Sequence, residues 1–161
     1  MKPGQHWFCT VYALLLLSAA CGELEKPCSP TRGFVTRVID GDTIELRGGE
    51  RVRYLLVDTP ELSSQQCYAQ EAKQFNTTEV LGHNVRLEYP GGECRGYFGR
   101  LLPYVYAHGL FINREVVARG LGRVSPSIHP EVNVSDKLTF EFLELQKHAQ
   151  SSGLGLWGAC R

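Results

Sequence analysis

An α+β domain built on a small five-stranded β-barrel with about three helices is the fold class predicted for this 161-residue chain. Two observations predict it. Five runs rich in β-branched or aromatic residues occur between Gly33 and Ala107, and helical patterns follow the third and fifth of these runs. Strands in that order, with helices inserted, fit an OB-fold better than a sandwich or a parallel sheet.

Residues 8–20, "FCTVYALLLLSAA", form an apolar run that follows Lys2 and ends in small residues. The run is too short for a membrane span, which takes about 20 apolar residues, and suits a secretory signal over residues 1–20. "LSAAC" resembles a lipoprotein signal that ends at an acylated Cys21, although Ser18 stands where leucine is usual; an ordinary cleavage site fits as well. Either way export is expected, to a periplasmic, cell-envelope or secreted location. Residues 21–32, mostly polar with Pro27 and Pro30, read as a tether, and 33–160 as the folded domain.

The strand runs are "FVTRVI" (34–39), "TIEL" (43–46) and "RVRYLLV" (51–57), expected as a meander. Gly48-Gly49 can supply the positive φ angles of a tight hairpin between the second and third. Residues 68–81 lack strand alternation and end at Gly82, which predicts a helix with a glycine cap. "NVRLEY" (84–89) and "RLLPYVYA" (100–107) are the fourth and fifth strands, Pro103 implying an edge or a bulge. A short helix is expected over 113–120 with Asn113 as N-cap and Gly120 as its end. The last runs from about Asp136 to Gln150, where Leu138, Phe142, Leu145 and Ala149 recur at helical spacing.

Seventeen basic and seventeen acidic residues balance; without residues 1–20, which hold only Lys2, the net charge is −1. Bulk attraction to nucleic acid is thereby excluded, and any such function needs a local site. Six cysteines are present, at 9, 21, 28, 67, 94 and 160. Loss of Cys9 with the signal and acylation of Cys21 would leave four, an even set suited to two disulfides in an oxidising compartment. Three pairings are open. The absence of a C-x-x-C pair argues against zinc.

Asp40 and Asp42 lie in "DGDT", and Asp58 and Glu61 in "DTPE". The hairpin near Gly48 brings the strands bearing Asp42 and Asp58 together, and paired carboxylates repel unless a cation or proton lies between them. An all-oxygen site suits Ca²⁺. Each motif is also ordinary turn chemistry. Glu61, held three residues beyond Asp58 by Pro60, could prepare a metal-bound water as nucleophile. Arg53 lies in an apolar strand and Arg100 follows a glycine-rich loop. Each is either a fork for phosphate oxygens or half of a structural ion pair.

With "IDGDT", "RYLLVDTPE", "FGR" and "GLGLW" in this order, the chain resembles the staphylococcal nuclease (thermonuclease) family from about Gly33 to Trp157. The resemblance implies an OB-fold with three helices and a Ca²⁺-dependent phosphodiesterase acting on DNA and RNA with little sequence specificity. It assigns Asp42, Asp58 and the Thr59 carbonyl to calcium, with Asp40 in support. Glu61 becomes the water-activating glutamate, and Arg53 and Arg100 the phosphate clamp. This intact set distinguishes the chain from the inactive repeats of Tudor-containing proteins. Phe98 replaces the tyrosine before "GR", and "GRVSPSIHP" lacks the family's aromatic pair. In this fold the loops after Glu61 and before Arg100 border one cleft, which implies Cys67–Cys94 and Cys28–Cys160 disulfides. The expected partners are nucleic-acid substrates and, if Cys21 is acylated, a membrane; no protein partner is implied, and a monomer is expected. A noncatalytic OB-fold module that binds nucleic acid or protein on the cell envelope is the alternative.

Overall fold

The computed structural model describes residues 28–90, 94–96, 98–125 and 136–160. The expected signal segment, Cys21 and residues 126–130 of "GRVSPSIHP" lie outside them. Among the described residues, eight short strands and four helices follow one another: β1 (Arg32–Val38), β2 (Thr43–Leu46), β3 (Arg51–Arg53), β4 (Val57–Asp58), α1 (Ala69–Val80), β5 (Asn84–Glu88), β6 (Tyr104–Ala107), β7 (Leu110–Phe111), α2 (Ile112–Ala118), β8 (Arg123–Val124), α3 (Asp136–Ser151) and α4 (Leu156–Ala159).

The class is as expected; the closed five-stranded barrel is not what the ladders trace. Six antiparallel strands form one sheet in the order β3-β2-β1-β5-β6-β7, and β4 pairs with β8 in a separate ribbon. A parallel bridge, Val52 to Leu101, links β3 to the segment before β6. The meander stands, and Gly48 and Gly49, with φ of 103° and 88°, make its hairpin turn.

The run "RVRYLLV" is not one strand. It breaks between β3 and β4, where Leu56 has φ of 64°. Tyr54, Leu55, Leu56 and Val57 are all buried, at 0, 1, 2 and 2% exposure. Strand alternation would turn every second one of them away from the core, whereas the turn buries all four. The fifth strand likewise starts only at Tyr104, because Pro103 has no N–H for the ladder.

Helix α1 ends at Val80 with Leu81 as its C-cap, and Gly82 follows as expected at φ of 78°. Asn113 is not an N-cap. Phe111 holds that position, and the buried Asn113 amide accepts from the Val105 N–H and donates to the Leu55 carbonyl, both at 2.9 Å. Satisfying two buried backbone groups outweighs a cap, since each left unmet costs about 1–3 kcal/mol. In α3, Phe142 and Ala149 are fully buried, and Leu138 and Leu145 pack on the core from its edge. "GLGLW" docks backbone to backbone: the Leu156 N–H donates to the Gly120 carbonyl at 2.9 Å. A Cβ on Gly155 would lie 2.3 Å from that same carbonyl oxygen.

All four expected cysteines form disulfides, but the pairing is Cys28–Cys94 and Cys67–Cys160. The register explains the first. Arg32 pairs with Arg86, so the chain before β1 runs beside the chain after β5; the Leu87 N–H donates to Thr31 O and the Tyr89 hydroxyl to Pro30 O. Cys28 therefore meets Cys94. The second follows from the docking of the C-terminus on Gly120, whose neighbour Arg123 pairs with Asp58. That brings Cys160 to a hollow shared with Pro60, Gln66 and Cys67.

Candidate active site

Asp42 sits where the chain leaves β1 and enters β2, 3% exposed. Its Oδ1 accepts from the Thr43 hydroxyl at 3.0 Å; its Oδ2 accepts from the Thr59 N–H at 2.7 Å and the Thr59 hydroxyl at 2.9 Å. Asp40 folds the same turn by accepting the Asp42 N–H at 3.1 Å. Burial pushes the Asp42 carboxyl up to about 7; Arg53 opposes the shift and Asp40 adds to it.

Arg53 is the hub. It is 5% exposed, and its guanidinium reaches both acids, Asp42 Oδ2 at 3.0 Å and Asp58 Oδ1 at 2.8 Å. Nη1 also donates to the Tyr54 and Val57 carbonyls. Of the two readings open for this arginine, the structural ion pair is directly visible. Among the described residues its Nε–H and one Nη2–H have no acceptor, so part of the fork is left for another anion.

The site thus gathers Asp40, Asp42, Asp58, Thr59 and Arg53. Glu61 follows on the chain and is exposed. Its backbone closes a short loop, the N–H donating to Gln66 Oε1 at 2.9 Å and the carbonyl accepting the Gln66 N–H at 3.1 Å. Its carboxylate bonds to no described residue. Arg100 is half-buried, 5.5 Å from the ring of the exposed Phe98, and lines an open cleft of about 520 Å³ with Arg51 and Glu50. It makes no ion pair with the described acids. Arg51 lies two residues from Arg53 along β3, so alternation puts both on one side of that strand.

Three supports went unseen in the sequence. Tyr54, its phenol pushed well above its ordinary range by burial, donates to Asn76 Oδ1 at 2.7 Å. Asn76 Nδ2 in turn donates to the Asp40 carbonyl at 2.9 Å, so α1 fixes the acidic turn. The available signal was a polar residue on an apolar stripe: Ala69, Ala72, Asn76 and Val80 are the buried positions of α1. Gly41 is the third. A Cβ there would lie 2.7 Å from Ala72 Cβ and 2.8 Å from the Thr59 side chain. Gly41→Ala is expected to cost about 1–3 kcal/mol by overpacking. Urea unfolding checks this, and an unchanged midpoint would show that the turn can move away from Thr59.

The donor chemistry fits a hard divalent cation. Two carboxylates converge on one guanidinium, Asp40 adds a third negative charge nearby, and the local donors are oxygen. Among the described residues no three or more His, Cys, Asp or Glu gather as a metal cluster. The protein would therefore give two carboxylates and backbone oxygen, with water completing a six- to eight-fold shell.

A family model described as staphylococcal nuclease homologue matches residues 51–159. Endonuclease YncB of Bacillus subtilis (strain 168) is 36% identical over 128 residues, 75% of this chain and 59% of that protein. The SPbeta prophage-derived endonuclease YokF of the same organism is 34% identical over 128 residues, covering 75% and 42%. An uncharacterized endonuclease of Escherichia coli O157:H7 is 32% identical over 134 residues, 81% of this chain and 79% of that protein. The chain thus spans about half the length of the two Bacillus relatives.

Proposed function

The chain belongs to the staphylococcal nuclease homologue family, and from that premise we propose that it is an exported, Ca²⁺-dependent endonuclease. It hydrolyses DNA and RNA phosphodiesters with little sequence specificity. The observation that carries the reading is the convergence of Asp42 and Asp58 on Arg53, with the unengaged Glu61 carboxylate three residues further on.

Asp42, Asp58 and the Thr59 carbonyl would hold calcium, with Asp40 in support. A bound Ca²⁺ supplies positive charge to the phosphate and lowers the pKa of water in its shell. Glu61, exposed to solvent, takes the proton of the attacking water at its carboxylate. Arg53 offers its remaining N–H groups, and Arg100 its whole guanidinium, to the phosphoryl oxygens on which charge grows. Export rests on the 1–20 signal pattern, with acylation of Cys21 as its lipoprotein form. The two disulfides support an oxidising compartment.

The noncatalytic binding module keeps one observation in its favour: Arg53 is already engaged by both acids. One assay separates the two readings. Plasmid DNA, single-stranded DNA and RNA should all be cut with Ca²⁺ and left intact with chelator. Cutting in chelator would rule out the metal role, and no cutting in either condition would leave the binding module.

A further inference from the structure

At the end of β1 remote from the acids, the sheet places like charges face to face. Arg32 pairs directly with Arg86, which pairs with Tyr106 on the next strand. Like charges in opposed positions on paired strands are destabilising. Arg86 is partly accounted for, by an ion pair with Glu88 and by stacking 3.9 Å over the Tyr106 ring. Arg32 is exposed and has no acceptor among the described residues. Arg32, Asn84, Arg86, Tyr106 and His108 line a hollow of about 250 Å³. The His108 ring meets His83 at 4.3 Å, edge to face. Glu88 is the sole acid among these groups, and it is taken by Arg86.

Two guanidinium groups thus face this hollow with the Asn84 amide beside them, and the only carboxylate near them among the described residues, Glu88, is already paired. A metal fits poorly beside two guanidinium groups, and an anion removes the repulsion between them. We propose that the hollow is an accessory phosphate site that holds the backbone of a nucleic-acid strand away from the scissile bond. The choice of a polynucleotide rests on the function proposed above; the phosphate chemistry does not. The seven residues of β1 separate Arg32 from the acidic turn by about 20 Å at roughly 3.3 Å per residue. Only a strand of several nucleotides can reach both places.

The test uses Arg32→Glu, which alters an exposed side chain, and the double variant Arg32→Ala/Arg86→Ala. Binding of a fluorescent 20-nucleotide single strand is followed in chelator across salt concentrations, beside cleavage of the same strand and of a trinucleotide with Ca²⁺. Each phosphate contact on a single strand contributes about 0.7 to the salt slope, so the double variant should lose about 1.4. Arg32→Glu should weaken long-strand binding and raise KM for the long strand several-fold. kcat, and KM for the trinucleotide, should stay unchanged. Unchanged affinity and slope in folded Arg32→Glu would overturn the site, as would equal losses on short and long substrates. Titration with inorganic phosphate separates the two readings: phosphate binding lost in Arg32→Glu, with no strand binding by the parent protein, keeps the anion chemistry and sinks the polynucleotide. Binding to anionic vesicles in place of the strand would likewise overturn it.

Discussion

Arg53→Ala should destabilise the calcium-free protein by about 3–5 kcal/mol, the usual cost of removing one partner from a buried charge network. The truncation leaves Asp42, 3% exposed, facing Asp58 with no cation between them. It also strips the Tyr54 and Val57 carbonyls of their donor. Urea unfolding in chelator measures the loss. Calcium should then stabilise the variant more than the parent, because a bound ion would be the cation nearest both carboxylates. A loss below about 1 kcal/mol would show that the network contributes little, since exposed pairs give that much. Arg53→Lys separates the two jobs of the residue. It keeps a charge near the acids but lacks the fork, so it should retain more stability than alanine while still losing cleavage.

Glu61→Gln should do the opposite: leave stability within about 0.5 kcal/mol and slow cleavage about 10²–10⁴-fold. The side chain is exposed, and the loop is held by its backbone and Gln66, so the substitution disturbs no packing. Glutamine keeps the shape and cannot accept a proton. Single-turnover cleavage with saturating Ca²⁺ reads the effect, and calcium affinity by calorimetry should be unchanged. A rate within tenfold of the parent would remove Glu61 from the proton transfer and leave it a bystander on an exposed loop.

Both variants act on residues that sequence pattern had singled out, and they differ in how much of their surroundings was visible there. The exposed position of Glu61 can be read from the chain alone, because it follows Pro60 just beyond a strand end; its role in proton transfer is the proposal that the glutamine variant tests. Arg53 could not be read that far. Its place in an apolar strand showed that its charge must be used, but whether by phosphate or by neighbouring acids depended on side chains 5 and 11 positions away. The cysteines divide in the same way. Their number and parity gave two disulfides; the partners follow from the β1–β5 register and the docking of the C-terminus on Gly120, both long-range.

Local sequence alone determined the periodicities, the Gly48-Gly49 hairpin, the run of α1 up to Gly82, the apolar face of α3 and the identity of the acids and arginines. These depend on backbone conformation and side-chain chemistry within a few residues. Only the tertiary structure decided the break after Arg53, the burial of Asn113 and Asn76, the disulfide partners and the opposition of Arg32 to Arg86. Each of those is a demand made by groups distant in the chain: apolar side chains needing one core, buried amides needing partners, strands needing a register. No window of local sequence contains both sides of such a demand.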